Sequence, residues 1–206
     1  MFKNMDEGYI KFKAHWQKST AFPAVNFQNL NHWRNTMYEH QLIGAYSNGI
    51  GYGNISERIP GSHQFYISGS ATGNLAQLTE QNYAKVIGID LPTNSLTCVG
   101  PTIASSESMS HAVIYQTCDW VNAVIHIHHL DLWKKLLHIV PTTDSKATYG
   151  TPDMAYSIIN LLNHSNLSAL KIFVMEGHEE GIFAFGEDLA TASAIIFEQL
   201  SNHGLR

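Results

Sequence analysis

The segment AVIHIH at positions 123–128 is a short apolar run with the composition of a buried β-strand and two histidines. Successive side chains of a strand alternate between faces, so His126 and His128 share one face and Ile127 points into the opposite layer. Two imidazoles on one face can bind the same divalent ion, and zinc suits this geometry. An isolated pair of this kind is also typical of a half-exposed strand. The pair therefore indicates a metal site only if a third donor exists.

The segment GHEEG at positions 177–181 supplies the candidate for that third donor. It lies between two β-prone runs, where a turn can direct His178 toward the same point as the histidine pair. A catalytic zinc ion typically has three protein ligands and one open position. Glu179 and Glu180 are alternatives, because carboxylates also bind zinc. The sequence thus predicts a metal site at His126, His128 and His178.

The chain has 12 histidines, as many as lysine and arginine together, which favours metal or proton chemistry. His129 faces away from its neighbours by strand alternation, and His111 lies on a predicted helix with an apolar flank, so we predict that both are structural. Cys98 and Cys118 are the only cysteines. Their number and spacing favour reduced thiols over a disulfide framework or a zinc ribbon.

The pattern around the histidine strand predicts an α/β fold, a single domain with a central, largely antiparallel β-sheet flanked by helices. A chain of 206 residues suits one domain, and neither a repeat nor a linker divides it. A helix is predicted to begin at residues 105–107 with a serine as N-cap, and Gly44 is predicted to end the first helix. The remaining predicted strands are 55–59, 64–68, 86–91, 96–99, 171–175 and 181–185, and the remaining helices are 27–42, 131–138, 152–163 and 188–201.

Charge and hydropathy exclude several functional classes. Charged residues make up only 14% of the chain, the net charge is −5, and no basic cluster is present. This pattern argues against nucleic acid or anionic membrane as a partner and favours a small ligand. No apolar run has the length of a membrane span, and residues 1–30 contain no signal-peptide core. We therefore predict a cytoplasmic protein.

Three polar segments could bind an anion. Ser105 and Ser106 precede a predicted helix, whose N-terminal N–H groups and nearby hydroxyls favour negative charge. Glu107 beside them could act as a general acid or base, although an acid there is also typical of helix-dipole compensation. The glycine-bearing loops at residues 46–54 and 69–74 offer backbone donors, hydroxyls and an amide. Together they could hold phosphate or carboxylate without a lysine.

The order of these motifs resembles the class II aldolase/adducin family over about residues 27–200. The resemblance rests on Gly53-Asn54-Ile55-Ser56-Glu57-Arg58 (G-N-x-S-x-R), a loop ending at Thr72-Gly73, Ser105-Ser106-Glu107 (S-S-E), the strand at 123–128, Tyr149-Gly150-Thr151 before a helix, and a late histidine ahead of Gly181 and Gly186. One departure concerns the late histidine, which in the family directly precedes a glycine. Here two glutamates separate His178 from Gly181, so either this loop bulges or the third ligand changes.

The resemblance implies the role of each candidate residue. Phosphate would be held by Asn54, Thr72, Gly73, Ser105 and Ser106, with Ser70 an alternative to Thr72, and zinc or another divalent metal by His126, His128 and His178. Glu107 would be the acid/base next to a metal-stabilised enediolate. The implied function is an aldolase-type lyase acting on a small sugar-like substrate, phosphorylated or not. An epimerase or dehydratase on the same scaffold and a non-catalytic adducin-like module are the alternatives, and a homotetramer is implied.

Overall fold

A computed structural model describes residues 9–205 and shows an eight-stranded sheet with helices on both faces. The strands are β1 (Lys13–Lys18), β2 (Gly44–Ala45), β3 (Gly51–Tyr52), β4 (Asn54–Arg58), β5 (Phe65–Ser68), β6 (Tyr83–Asp90), β7 (Ser95–Gly100), β8 (Ala123–His128), β9 (Ile172–Val174) and β10 (Gly181–Gly186). The helices are α1 (Gln28–Glu39), α2 (Ser108–Thr117), α3 (Leu130–Leu136), α4 (Pro152–His164), α5 (Leu167–Leu170) and α6 (Leu189–Asn202). Within the described residues, no helix is both long enough and apolar enough to cross a bilayer.

The large sheet has the strand order β1-β7-β6-β5-β4-β8-β10-β9, and β2 and β3 form a separate small hairpin. Adjacent strands are antiparallel except β1, which runs parallel to β7. The predicted α/β fold with a largely antiparallel sheet is therefore confirmed. Strand β1 was not predicted from the sequence, because its residues are mostly polar and exposed, as is common for the edge of a sheet.

Strand β8 lies between β4 and β10, deep inside the sheet, and all its residues are buried. Ile125 and Ile127 join the apolar cluster that includes residues of α1, α3 and α6, and Val124 joins the cluster that includes residues of α2 and α4. The alternation expected from the sequence is thus present, and His126 and His128 face the side covered by α2. The sheet and these two helical layers form the framework that positions the candidate site.

Three local predictions were wrong. Helix α1 ends at Glu39 rather than at the predicted Leu42, and Gln41, not Gly44, takes the left-handed conformation (φ 58°) that follows the helix. Residues 46–54 are not all loop, since β3 lies within them and Asn54 begins β4. Helix α2 begins at Ser108 with Glu107 at the N-cap, and no side chain caps it.

The reason for the late start of α2 is a turn that precedes the helix. The Ser105 carbonyl accepts hydrogen bonds from the Ser108 backbone N–H (3.0 Å) and from the Ser108 hydroxyl (2.6 Å). This turn uses the backbone of Ser105 and leaves the side chains of residues 105–107 next to a pocket. The expected serine cap is therefore replaced by an arrangement that orients Glu107.

Candidate metal centre and anion pocket

The three predicted metal ligands come together in one buried cluster. His126 and His128 project from β8, and His178 lies in the turn between β9 and β10. Strand β10 pairs with β8 so that Gly181 lies opposite His128, which places the start of β10, just after that turn, beside the pair. The Nε2 atom of His128 lies 3.2 Å from that of His126 and 3.1 Å from that of His178. The three side chains thus offer ligand atoms within 4.8 Å of one another.

These separations fit a tetrahedral metal ion. Zinc binds imidazole nitrogen at about 2.0–2.1 Å, so two nitrogens on one tetrahedral ion lie about 3.3 Å apart. The observed distances of 3.1 Å and 3.2 Å are close to that value. Burial and the neighbouring histidines hold the pKa of His126 well below its usual range, which keeps its nitrogen unprotonated. The cluster can therefore bind a divalent metal.

The second ring nitrogen of each histidine faces an oxygen. His126 Nδ1 lies 3.1 Å from the Ile182 carbonyl, and His178 Nδ1 lies 3.5 Å from Glu107 Oε1. For His126, a donor bond from Nδ1 to that carbonyl fixes the tautomer whose Nε2 lone pair is available to a metal. The orientation of the rings is therefore set by groups outside the cluster, as expected for a preformed metal site.

His128 is oriented through a tyrosine. The Tyr46 hydroxyl lies 2.8 Å from His128 Nδ1 and donates to Glu180 Oε2 at 2.7 Å. Because the hydroxyl gives its proton to the carboxylate, its oxygen accepts the N–H of His128. The His128 ring, 3.8 Å from Glu180 Oε2, and the Tyr46 hydroxyl hold the pKa of Glu180 below its usual range. The result is a carboxylate, tyrosine and histidine in series.

The two extra glutamates are accommodated by a tight turn. The Gly181 N–H donates to the His178 carbonyl at 3.0 Å, and Glu180 adopts a left-handed conformation with φ 74°. The loop therefore bulges, and His178 keeps its place in the cluster. Glu180 lies on the Nδ1 side of His128, behind the ring, rather than among the converging Nε2 atoms.

Glu107 lies between the histidine cluster and a polar pocket. The residue is 1% exposed, and its Oε2 accepts a hydrogen bond from the Ser110 hydroxyl at 3.1 Å. Its Oε1 faces His178, and the residue also lines the neighbouring pocket. A carboxylate in this position touches both regions at once.

The pocket is built mainly from three loops. All the residues predicted to bind phosphate line it, and its full lining is Gly51, Tyr52, Gly53, Asn54, Gly69, Ser70, Ala71, Thr72, Gly73, Ser105, Ser106 and Glu107. No lysine or arginine is among these described residues. Only glycine fits at position 73, because a Cβ there would lie 2.1 Å from the Gly44 carbonyl oxygen. Close approach of the backbones thus forms a pocket whose donors are amides and hydroxyls.

The structure distinguishes the two hydroxyl candidates of this loop. The Thr72 hydroxyl donates to the Gly69 carbonyl at 2.8 Å, so its proton is used in a hydrogen bond within the loop and not for a ligand. Ser70 is half-buried at the same pocket. Behind the loop, the buried guanidinium of Arg34 donates to the carbonyls of Thr72 (3.1 Å) and Ala76 (3.0 Å). This geometry favours Ser70 as the hydroxyl that faces an anion.

The histidines predicted to be structural are outside the cluster. His129 is the N-cap of α3, where its Nδ1 accepts from the Leu132 N–H at 3.2 Å. His111 is fully buried on α2 and contacts Asn54 and Ser56 through its two nitrogens. Burial lowers the pKa of His111 to about 3, so the ring is neutral.

Sequence reasoning missed Tyr46 and Arg34. Tyr46 lies in a loop, and its partner Glu180 is distant in the chain, so spacing carried no signal for the pair. A signal did exist for Arg34, because it lies on the same helical face as the buried residues Leu30 and Met37, where an unpaired charge is unusual.

Comparisons with known proteins agree with this fold. Residues 40–200 match the model of a family described as the class II aldolase and adducin N-terminal domain. No curated protein matches the chain in sequence. Among solved structures, an L-fuculose 1-phosphate aldolase is 20% identical with a TM-score of 0.65, covering 88% of this chain and 84% of its own.

Two further solved structures share the fold. A sugar-phosphate aldolase from Thermotoga maritima is 13% identical, with a TM-score of 0.58 over 86% of this chain and 95% of its own. The N-terminal class II aldolase domain of a conserved protein from Thermoplasma acidophilum is 14% identical, with a TM-score of 0.58 over 90% of this chain and 96% of its own. With its sheet, its histidine cluster and a family match over residues 40–200, the chain belongs to the class II aldolase and adducin family.

Proposed function

We propose that the protein is a divalent-metal-dependent aldolase-type lyase that acts on a small hydroxylated carbonyl compound carrying a phosphate. The observation that carries this proposal is the convergence of His126, His128 and His178 beside a polar pocket, with Glu107 bordering both. The names of two structural neighbours, L-fuculose 1-phosphate aldolase and sugar-phosphate aldolase, support this class of substrate.

The loop pocket would hold the phosphate. Asn54, Ser70, Ser105 and Ser106 bring an amide and hydroxyls to it, and Gly73 lines it with backbone. Such donors bind an anion without a lysine. A phosphate held there would position the rest of the substrate toward the histidine cluster, because Glu107 lines the pocket and faces His178.

Glu107 would move the proton. A zinc ion held by His126, His128 and His178 would supply a Lewis acid for the oxygens of the substrate. Glu107 is almost completely buried, and a carboxylate shielded from water can take up or return a proton at the neighbouring carbon. The Ser110 hydroxyl donates to Oε2, and Oε1 faces Nδ1 of His178. We propose zinc because three imidazole nitrogens match its preferred ligands.

The test combines metal analysis with a substrate panel. Purified protein is stripped with a chelator, reloaded with zinc, cobalt or manganese, and offered ketose phosphates and their unphosphorylated counterparts. We expect metal-dependent release of an aldehyde, with the phosphorylated compounds cleaved faster. Conversion to an isomer would identify an epimerase, and loss of water a dehydratase, and either result would overturn the lyase proposal.

A non-catalytic, adducin-like module is tested by the metal alone. We expect one divalent ion per chain, and loss of that ion in His126→Ala. If the protein binds no metal and this substitution changes nothing, the enzyme proposal fails.

We also propose a homotetramer, on the basis of the family. Sedimentation equilibrium should give a mass four times that of one chain, which is 23.0 kDa. A monomer at micromolar concentration would contradict this part of the proposal.

A further inference from the structure

Four buried polar side chains connect the interior of the sheet to the anion pocket. The hydroxyls of Tyr115 and Ser56 lie 2.7 Å apart, and the Ser56 hydroxyl lies 2.7 Å from His111 Nδ1. On the other side of the ring, His111 Nε2 lies 2.6 Å from Asn54 Oδ1. Asn54 is the first residue of β4 and lines the pocket. The series therefore ends at a residue that faces the proposed anion.

The number of protons gives this series a direction. His111 is fully buried and neutral, so one ring nitrogen donates and the other accepts. The contact with Asn54 Oδ1 requires a donor at Nε2, which makes Nδ1 the acceptor of the Ser56 hydroxyl proton. Ser56 then has no proton left for Tyr115, and Tyr115 must donate to it. Each donor follows from the one before it.

We propose that His111 is a positioning residue that locks the Asn54 amide with its oxygen turned inward and its NH2 group directed at the anion pocket. The functional meaning of this lock rests on the proposed binding of a phosphate. The opposite tautomer would donate from Nδ1 to Ser56 and accept from the Asn54 amide nitrogen. It would leave Asn54 Oδ1, an acceptor, facing a phosphate whose oxygens are mainly acceptors.

The surroundings of His111 hold the ring in place. Phe183 packs edge-on against it with ring centroids 5.2 Å apart, and Phe65 lies parallel to it at 6.4 Å. His111 lies one helical turn after Glu107, so the same segment of α2 carries the proposed acid/base and the lock on Asn54. The geometry of the helix thus couples the two parts of the site.

The first test observes the tautomer directly. Nitrogen-15 NMR of histidine-labelled, metal-free protein at neutral pH distinguishes a protonated Nε2 from a protonated Nδ1. We expect His111 to be almost wholly in the Nε2–H form, assigned by loss of its signals in His111→Phe. A dominant Nδ1–H form, or an equal mixture, would overturn the proposal.

The second test removes the link behind the ring. Ser56→Ala leaves Nδ1 without its donor, so we expect mixed tautomers and an affinity for inorganic phosphate about threefold to tenfold weaker, as expected for the partial loss of one charged hydrogen bond. Ser193→Ala is the matched control, because Ser193 is an equally buried serine on α6, outside the site. It should change neither readout.

A double-substitution cycle shows whether the effect passes through Asn54. In an Asn54→Ala background, Ser56→Ala should weaken phosphate binding no further, because the amide that His111 positions is gone. Additive losses would show that Ser56 acts through general stability, and would contradict a positioning role. Failure of the unaltered protein to bind phosphate would count against the proposed function, whereas the tautomer of His111 decides this inference.

Discussion

The histidine cluster and the anion pocket are neighbours built in opposite ways. The cluster uses large side chains held on strands and on a tight turn, and oxygens behind each ring fix their orientation. The pocket uses loop backbone and small residues, and at Gly73 it has no room for a single additional carbon. The cluster should therefore be vulnerable to deletion of side-chain atoms, and the pocket to their addition.

The largest effect is expected for loss of a predicted ligand. Binding of a structural zinc ion by four ligands is worth about 10–16 kcal/mol, so His128→Ala should weaken zinc affinity by about a hundredfold to a thousandfold. Competition with a chromogenic chelator measures the change. His129→Ala is the control, because the adjacent His129 only caps α3. This variant should lose about 1 kcal/mol of folding stability and keep its metal affinity. Equal metal affinities for the two variants would place the site elsewhere.

The same contrast explains what could be predicted from sequence. Strand β8 was predicted at its observed bounds because an apolar run with alternating histidines leaves few other structures. The position of His178 beside the pair was predictable because a turn between two strands restricts where its side chain can go. The prediction missed strand β1, whose residues are mostly polar, and it misplaced the end of α1, which is not followed by the expected glycine.

The residues behind the site could not be read from local pattern. Tyr46 and Glu180 are 134 positions apart, and only the folded sheet brings them together behind His128. His111 was predicted to be structural because its helix is apolar, and the sequence does not show which polar atoms meet it across the sheet. Partners that depend on long-range contacts require the three-dimensional structure.

The second prediction adds one carbon to the pocket. Gly73→Ala should destabilise the protein by about 3 kcal/mol or more, because its Cβ would lie 2.1 Å from a backbone oxygen that cannot move independently. Chemical denaturation measures the loss. Gly88→Ala is the control, because nothing lies within 4 Å of a Cβ at that position and φ there is ordinary. A well-folded Gly73→Ala protein of normal stability would show that the loop is not as tightly packed as described.

The third prediction removes one oxygen from behind the cluster. Tyr46→Phe deletes the acceptor of His128 Nδ1, and loss of such a partner typically weakens metal affinity about tenfold to a hundredfold. Tyr52→Phe is the matched control. The Tyr52 ring also packs against His128, with centroids 5.4 Å apart, but its hydroxyl donates to the Gln41 carbonyl. Similar zinc affinities for both variants would indicate that ring packing alone orients His128.

The smallest effect concerns the two hydroxyls of the pocket loop, and it separates binding from stability. Ser70→Ala should weaken affinity for inorganic phosphate about fivefold, the worth of one hydrogen bond of about 1 kcal/mol, with little change in Tm. Thr72→Val should do the reverse, because the Thr72 hydroxyl donates to Gly69 within the loop and its loss leaves that carbonyl unsatisfied. Calorimetric titration measures the phosphate affinity of both variants, and thermal denaturation measures their Tm. If Thr72→Val loses phosphate affinity and Ser70→Ala does not, Thr72 rotates to face the anion and the loop rearranges on binding.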